Sequence, residues 1–458
     1  MHFSYLQFSI FVQTYQVMIF KRKIYTQLLE WKEKWADRRA LLIQGARRIG
    51  KSTIVEEFAK TEYKSYILIN FQVDLNLVEN LFKTSISNLD EFFRTLSLLY
   101  GKQLYKKESL IIFDEVQLFP IARQSIKQLV ADGRYHFIET GSLISLQQNV
   151  EHILLPSEER SINMYPLDFE EFLWAQGDFV TASVIRECFQ TKKPLGDISH
   201  RKVMNSFRLY MAVGGMPQAI NELLESNDFT MIDEIKREIL TLYTNDLKKL
   251  DSKYALSTSL ILKSIPSELS SHTRLFKTSV LGKNARVSRR YNSFEAIKDS
   301  MIVNIANDCT DPNFTPALTA NLSKQKIYMG DTGLLISQLF KSSKKPIEQS
   351  IYKQLIVDKI GLNMGMIFEN AVAQMLKANG HELYFHSFNQ YEIDFLLPEG
   401  KKVIPLEVKS SSYKSHKSLS AFCEKYSERI ISPYVIYTRD LRKEGQVTLL
   451  PVYMTMCL

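Results

Sequence analysis

Residues 40–59 read ALLIQGARRIGKSTIVEEFA, and the order of residue types in this stretch decides the fold. ALLIQ at 40–44 is a short, almost wholly apolar run, as expected of a strand buried on both faces of a parallel sheet. Gly45-Ala46-Arg47-Arg48-Ile49-Gly50-Lys51-Ser52 then fits GxxxxGK[ST] at every fixed position, and Thr53 begins an amphipathic helical run, TIVEEFAK. Gly45 and Gly50 let the backbone curl so that successive N–H groups face a phosphate chain, where the helix N-terminus adds partial positive charge. Lys51 is placed to span β- and γ-phosphates, and the Ser52 hydroxyl to ligate Mg²⁺.

A second element belongs with this loop. Leu110-Ile111-Ile112-Phe113 ends in Asp114-Glu115, two carboxylates where a core strand should end. Asp114 would hold the Mg²⁺ shell and Glu115 would take the proton from an attacking water. Without the loop upstream, the pair would read as a solvated turn. Further apolar runs, YILIN at 66–70 and YHFIET at 135–140, extend the strand-and-helix alternation to about Ser142.

Beyond the core the pattern changes. From Asp168 to about residue 250 it is helical, with DFEEFL at 168–173 and a turn at Gly214-Gly215-Met216-Pro217, which suits a lid packed on the core. A basic helical stretch follows, with Lys283, Arg286, Arg289 and Arg290 in GKNARVSRRY. Its short helices suggest a winged-helix or helix-turn-helix module that would carry these cations to DNA, although the same arrangement is a common packing unit. The polar run KSSKKPIEQS at 341–350 is the best linker. From Gly365 helix and strand alternate again in a second α/β unit.

Several of these stretches carry a family resemblance. GARRIGKST, LIIFDEVQ and ETGS resemble the AAA-type ATPase domain of a large group of predicted bacterial and archaeal ATPases, in which an uncharacterised restriction-endonuclease-like domain follows the core. The likeness extends through YPLDFEEFL, GGMP, KIYMGDTGLL and GMIFENAV. It implies ATP as the nucleotide, and Thr140 and Ser142 as polar sensors of the lytic water or γ-phosphate. Members usually carry Gly-Arg before the PL-x-F-x-EF motif. This chain has Glu159-Arg160, so only the arginine is kept, as a candidate γ-phosphate sensor or a surface ion pair.

In the last segment Glu369, Asp394, Glu407 and Lys409 have the order and spacing of a PD-(D/E)xK nuclease centre. Glu407 and Lys409 are two apart and project from one strand face, Asp394 lies on the neighbouring strand, and Glu369 shares a helical stripe with Val372, Ala373 and Leu376. Asp394 and Glu407 could share a second Mg²⁺. Alternatively these charges pair among themselves without catalysis.

Composition sets the outer bounds. The chain has 458 residues, enough for two to four domains, and its Lys and Arg exceed Asp and Glu by 58 − 50 = 8, a mild excess that suits a polyanionic partner if concentrated. Four widely spaced cysteines, Cys188, Cys309, Cys423 and Cys457, form no metal or disulfide pattern and suit the cytoplasm. The first 19 residues are moderately apolar but interrupted by Gln7, Gln13 and Gln16, so no membrane role is expected, and Met18 is the simpler start.

The expected organisation is therefore an N-terminal extension (1–17), an AAA-type phosphate-loop core (18–167), a helical lid (168–250), a basic winged-helix-like module (251–340), a linker (341–364) and a PD-(D/E)xK-like domain (365–458). Three functions fit. The first is an ATP-driven switch with Mg²⁺-dependent hydrolysis, acting on DNA and able to self-associate. The second is an ATP-regulated nuclease, and the third a non-catalytic module gated by nucleotide.

Overall fold

The computed structural model describes residues 18–142, 157–249, 252–271, 274–277, 287–340, 347–357, 364–388, 391–410 and 415–458. The expected extension at 1–17 and the cations Lys283 and Arg286 lie outside the described residues.

Two sheets organise the chain. The first contains β1 (Ala40–Gln44), β2 (Ser65–Asn70), β3 (Ser109–Asp114), β4 (His136–Gly141) and β5 (Glu159–Asn163) in the order β2-β3-β4-β1-β5, with every neighbouring pair parallel. Alternate β1 side chains serve different cores. Leu41 and Ile43 pack with α1 (Ile24–Lys34) and α2 (Lys51–Glu62), whereas Ala40 and Leu42 pack with α3 (Leu75–Thr84), α4 (Leu89–Tyr100) and α5 (Pro120–Asp132). Burial on both faces is why these strands read as continuous apolar runs. All strands point one way, so the ends of β1, β3 and β4 share a single carboxyl edge, where open α/β sheets place their ligands.

The region after β5 is helical: α6 (Phe169–Ala175), α7 (Thr181–Thr191), α8 (Asp197–Val213), α9 (Pro217–Glu225) and α10 (Phe229–Lys248). Asp168 caps α6 through a reciprocal box, accepting from the Glu171 N–H while the Glu171 carboxylate accepts from its own.

The second sheet departs from the expected partition. After α11 (Ser252–Ser270) and α12 (Val287–Asp299), β6 (Val303–Cys309) and β7 (Ala320–Met329) form an antiparallel hairpin. That hairpin joins β8 (Leu383–Phe388), β9 (Tyr391–Glu399), β10 (Lys402–Val408), β11 (Tyr434–Tyr437), β12 (Arg442–Glu444) and β13 (Val447–Pro451) in one eight-stranded sheet. Residues 303–329 thus pair with the C-terminal strands instead of completing a separate winged-helix-like module. Nor is 341–364 simply a linker, since Gln349–Ile356 form α14, whose Tyr352 and Leu355 are buried. One face of the sheet packs on α13 (Thr332–Leu339) and α15 (Gly365–Ala378) in a core continuous with that of α1 and α2. Leu419 and Phe422 of α16 (Lys417–Lys425) cover the other face. Among the described residues no helix is long and apolar enough to cross a membrane.

Candidate functional site

The loop after β1 is held in shape by close packing. A Cβ on Gly45 would lie 2.5 Å from the Met164 carbonyl oxygen beyond β5 and 2.5 Å from Ile49 Cδ1, so only glycine fits. Gly50, at φ +93°, is the N-cap of α2, and no acidic residue occupies the helix's first turn to offset its positive end. Lys51 is buried, and its Nζ donates to the carbonyls of Gly45 (3.0 Å) and Ala46 (2.8 Å). Burial pushes its ammonium down to about 8, against the opposing pull of Glu115 and Asp114. Arg48 is exposed, and Arg47 is ion-paired with Asp246 of α10 at 3.0 Å.

Asp114 is the centre of the constellation. Its Oδ1 accepts from Ser52 Oγ at 2.6 Å and from Thr140 Oγ1, and its Oδ2 accepts from Asn70 Nδ2 at 3.2 Å. Thr140 Oγ1 also accepts from the Glu115 N–H at 3.3 Å. Strand register explains the assembly, since Ile43 stands opposite Thr140 and Asn70 opposite Asp114. Glu115 sits at φ +55°, an uncommon conformation for a residue with a Cβ, and its carboxylate accepts from the Gln117 side-chain amide. Ser142 is buried two residues beyond Thr140. A hydroxyl beside a carboxylate is the hard-oxygen pairing that suits Mg²⁺, so Ser52 and Asp114 fit the ion expected of them.

Arg160 is not brought to the loop. It pairs with Leu41 in register, near the start of β1, and its guanidinium lies over the Trp35 ring, 5.1 Å from the centroid. Its neighbour Glu159, where the resembled family has glycine, forms a two-point ion pair with Arg123 at 2.9 and 3.0 Å. Glu139 is fully buried beside this pair. Burial and the Glu159 charge raise its carboxyl well above the usual range, against the opposing pull of Arg123.

Sequence reasoning missed the N-terminal arm. Arg22 donates to the carbonyls of Ile49 (2.9 Å) and Tyr165 (2.6 Å) and is ion-paired with Glu171 at 3.2 Å. Lys23 meets Asp168 and Glu170. The available signal was charge complementarity between Lys21-Arg22-Lys23 and the acids of DFEEF. A cavity of 470 Å³ opens beside the loop, walled by Met18, Phe20, Pro217 and Ile235 together with Arg48, Gly50, Thr53, Gln218 and Asn221. Asn70 was missed too, although it ends the quoted YILIN run.

The C-terminal quartet does come together, with extra cations inside it. Glu369 is fully buried. Its Oε1 accepts from Tyr328 OH at 2.6 Å and Lys326 Nζ at 3.2 Å, and its Oε2 is ion-paired with Arg274. Lys326 also meets Glu392 (2.6 Å) and lies 3.8 Å from Asp394 Oδ1. Asp394 Oδ2 accepts from the Val408 N–H at 2.7 Å, and Glu407 pairs with Lys409 at 2.6 Å. Burial raises the Glu407 carboxyl, which Lys409 partly offsets. The second-Mg²⁺ expectation meets a physical obstacle. Lys326 and Arg274 neutralise Glu369 beside the Asp394 and Glu407 expected to share the ion, and among the described residues no group of three or more acids, histidines or cysteines is arranged to hold a metal. Arg289 and Arg290 fall on α12.

Comparison with known proteins bears mainly on the segment that holds the first site. The AAA domain model matches residues 37–173, which include the loop, Asp114 and Thr140. Models of two domains of unknown function, DUF8612 and DUF4143, match residues 204–345 and 364–454. No curated protein matches the chain. Among solved structures, "Structure of Drosophila ORC bound to DNA" is similar over 74% of this chain and 94% of its own, at 12% identity and TM-score 0.28. A DNA replication initiation factor is similar over 60% of this chain and 92% of its own, at 10% identity and TM-score 0.21.

Proposed function

We propose that the AAA domain binds ATP with Mg²⁺ and hydrolyses it slowly, the nucleotide state setting the position of the helices that follow. One observation carries this reading: Ser52, Asp114 and Thr140 converge through shared hydrogen bonds beside the buried Lys51. Bound Mg²⁺ would supply charge neutralisation at the phosphates, held by Ser52 and Asp114. Lys51 exchanges its bonds to the Gly45 and Ala46 carbonyls for phosphate oxygens. Glu115 accepts the proton of the attacking water, and Thr140 and Ser142 orient that water. The cavity walled by Phe20 and Pro217 is the natural seat for the purine.

The test is turnover of ATP and of GTP with Mg²⁺, with and without DNA, in the intact chain and in Lys51→Ala. ATP turnover should be present and fall about 100- to 1000-fold in the variant. A wild-type protein that neither binds nor hydrolyses nucleotide would overturn the reading. DNA is the proposed partner, through α12 and its Arg289 and Arg290, and stimulation of turnover by DNA is the matching observable. The cytoplasm is the proposed location and self-association part of the cycle.

The order α15, β8, β9, β10, α16, β11 supports taking residues 365–458 as a restriction-endonuclease-like unit. The pairing of its acids with Lys326, Arg274 and Lys409 favours a structural or binding role over cleavage. Phosphodiester cleavage lost in Asp394→Ala and Glu407→Ala, with ATP binding intact, would reverse that preference.

A further inference from the structure

The turn at Gly214-Gly215-Met216-Pro217 lies between the cavity beside the loop and the start of α13. On one side Pro217 opens α9, lines the cavity beside the loop, and stands so close to Gly50 that a Cβ there would lie 3.6 Å from its Cγ. On the other side the turn meets Asp331, the N-cap of α13. Asp331 is buried; its Oδ2 accepts from the Gly215 N–H at 2.5 Å and its Oδ1 from the Leu334 N–H at 2.9 Å.

This joint leaves no room for side chains. A Cβ on Gly214 would lie 2.3 Å from Asp331 Oδ1, and one on Gly333 would lie 2.3 Å from the Val213 carbonyl oxygen and 2.6 Å from Gly214 Cα. Gly215 is equally confined, with a Cβ there 2.1 Å from the Leu167 carbonyl oxygen, while its own carbonyl accepts from the Leu167 N–H at 2.8 Å. The two backbones are therefore in direct contact, and neither can shift without the other.

From the joint, buried hydrogen bonds continue into α15. Gln374 Oε1 accepts from the Thr332 N–H (2.8 Å) and hydroxyl (2.7 Å), and its Nε2 donates to Tyr210 OH at 3.0 Å. Tyr210 in turn donates to the Leu167 carbonyl at 3.0 Å. One turn earlier on α15, Asn370 exchanges hydrogen bonds with the Met329 backbone and accompanies Glu369, the centre of the second charged cluster. Nothing in nucleotide chemistry requires these groups, yet all are buried and satisfied, which is the signature of a joint that specifies one arrangement.

We propose that Asp331 is a positioning residue that couples the nucleotide cavity to α15, so that nucleotide occupancy and the arrangement of the Glu369 cluster bias each other. The inference rests on the proposed nucleotide site. Its physical basis is a shared rigid element, the contact of 213–217 with 331–333, which lines the cavity through Pro217 and reaches the helix that carries Glu369 through the bonds of Thr332 to Gln374 and Asn370. Coupling of this kind is reciprocal and amounts to about 5-fold or more in affinity.

Hydrogen–deuterium exchange of the full-length protein, with and without a non-hydrolysable ATP analogue and Mg²⁺, tests it. In the wild type, nucleotide should change the protection of amides in 365–378, which lie outside the cavity. In Asp331→Asn, analogue binding measured directly should persist while that change disappears. Gln374→Met, nearly isosteric, cuts the same joint from the helix side and decides the matter if Asp331→Asn does not fold. A nucleotide-dependent change in 365–378 that survives both substitutions overturns the proposal, as does its absence in a wild type that binds the analogue. Failure of the wild type to bind the analogue would instead overturn the nucleotide site itself. A merely structural role would lower protection throughout α15 yet leave the nucleotide-dependent difference in place.

Discussion

The molecule holds two buried acid centres, and they are satisfied in opposite ways. Asp114 is surrounded by neutral donors, the hydroxyls of Ser52 and Thr140 and the amide of Asn70, so its negative charge remains available to a cation. Lys51, which Asp114 attracts, is turned onto the loop carbonyls. Glu369 is met instead by two cations of the chain itself, Lys326 and Arg274, and Glu407 by Lys409. Buried carboxylates thus yield an open centre at the end of a strand in one sheet and an internally neutralised one on a helix packed against the other. What separates them is the charge of the partners, not the number of acids.

The sharpest way to break this contrast is at Glu115. If the first centre performs hydrolysis, Glu115→Gln should lower turnover by about 10²- to 10⁴-fold while nucleotide affinity, measured by titration, stays near wild type. Unchanged turnover would reduce the first centre to a binding site. For the second centre the expected effect is on stability. Lys326→Ala leaves Glu369 and Glu392 without a fully buried counter-charge, and the denaturation midpoint should fall by the equivalent of about 3–5 kcal/mol. A loss below about 1 kcal/mol would mean that Lys326 is dispensable and the centre less closed than its geometry indicates.

A pH titration sharpens the comparison from the cation's side. Lys51 falls from its ordinary 10.5 to about 8 on folding because burial disfavours the charged form. Between those values the unfolded chain holds a proton that the folded chain lacks, so stability of the nucleotide-free protein rises with pH across that window. The rise is about 3 kcal/mol, and below pH 8 the whole penalty is present. Lys236, also pushed to about 8 by burial, adds the same kind of slope. Comparing wild type with Lys51→Met cancels the Lys236 contribution, and the difference between the two stability curves should flatten above about pH 10. Parallel curves would show that Lys51 is better solvated than its burial implies.

How much of this was legible follows from where partners lie along the chain. Strands β1 to β4 were readable because burial on both faces makes them continuously apolar, and the loop and Asp114 stand at their ends. Strand β5 was not: ERSIN is an edge strand with exposed positions and no apolar run. Strand β7 begins ANLSKQ, a half-exposed run without continuous apolar character, so a hairpin there was overlooked in favour of a helical module. Long-range pairings were invisible for a simpler reason. Arg22 meets Tyr165 across 143 residues, and Lys326 meets Glu369 across 43, distances over which no local pattern carries information. The inward placement of Glu369 was readable from its helical stripe. Its partners were not, and they are what change the reading of the site.

Arg160 offers the smallest expected effect and a test of whether the first centre is complete within one chain. Its guanidinium lies over Trp35, near the start of β1 and away from the loop, so within a single copy it has no path to the phosphates. Arg160→Ala should then cost only the cation–π contact, about 0.5–1 kcal/mol of stability, and leave turnover per chain unchanged at low protein concentration. If turnover instead rises with protein concentration in the wild type and Arg160→Ala abolishes only that increment, the residue acts on the nucleotide of a neighbouring copy. The open centre around Asp114 would then be open on purpose, its last cation coming from outside the chain, in direct contrast to the Glu369 centre, which draws all of its cations from within.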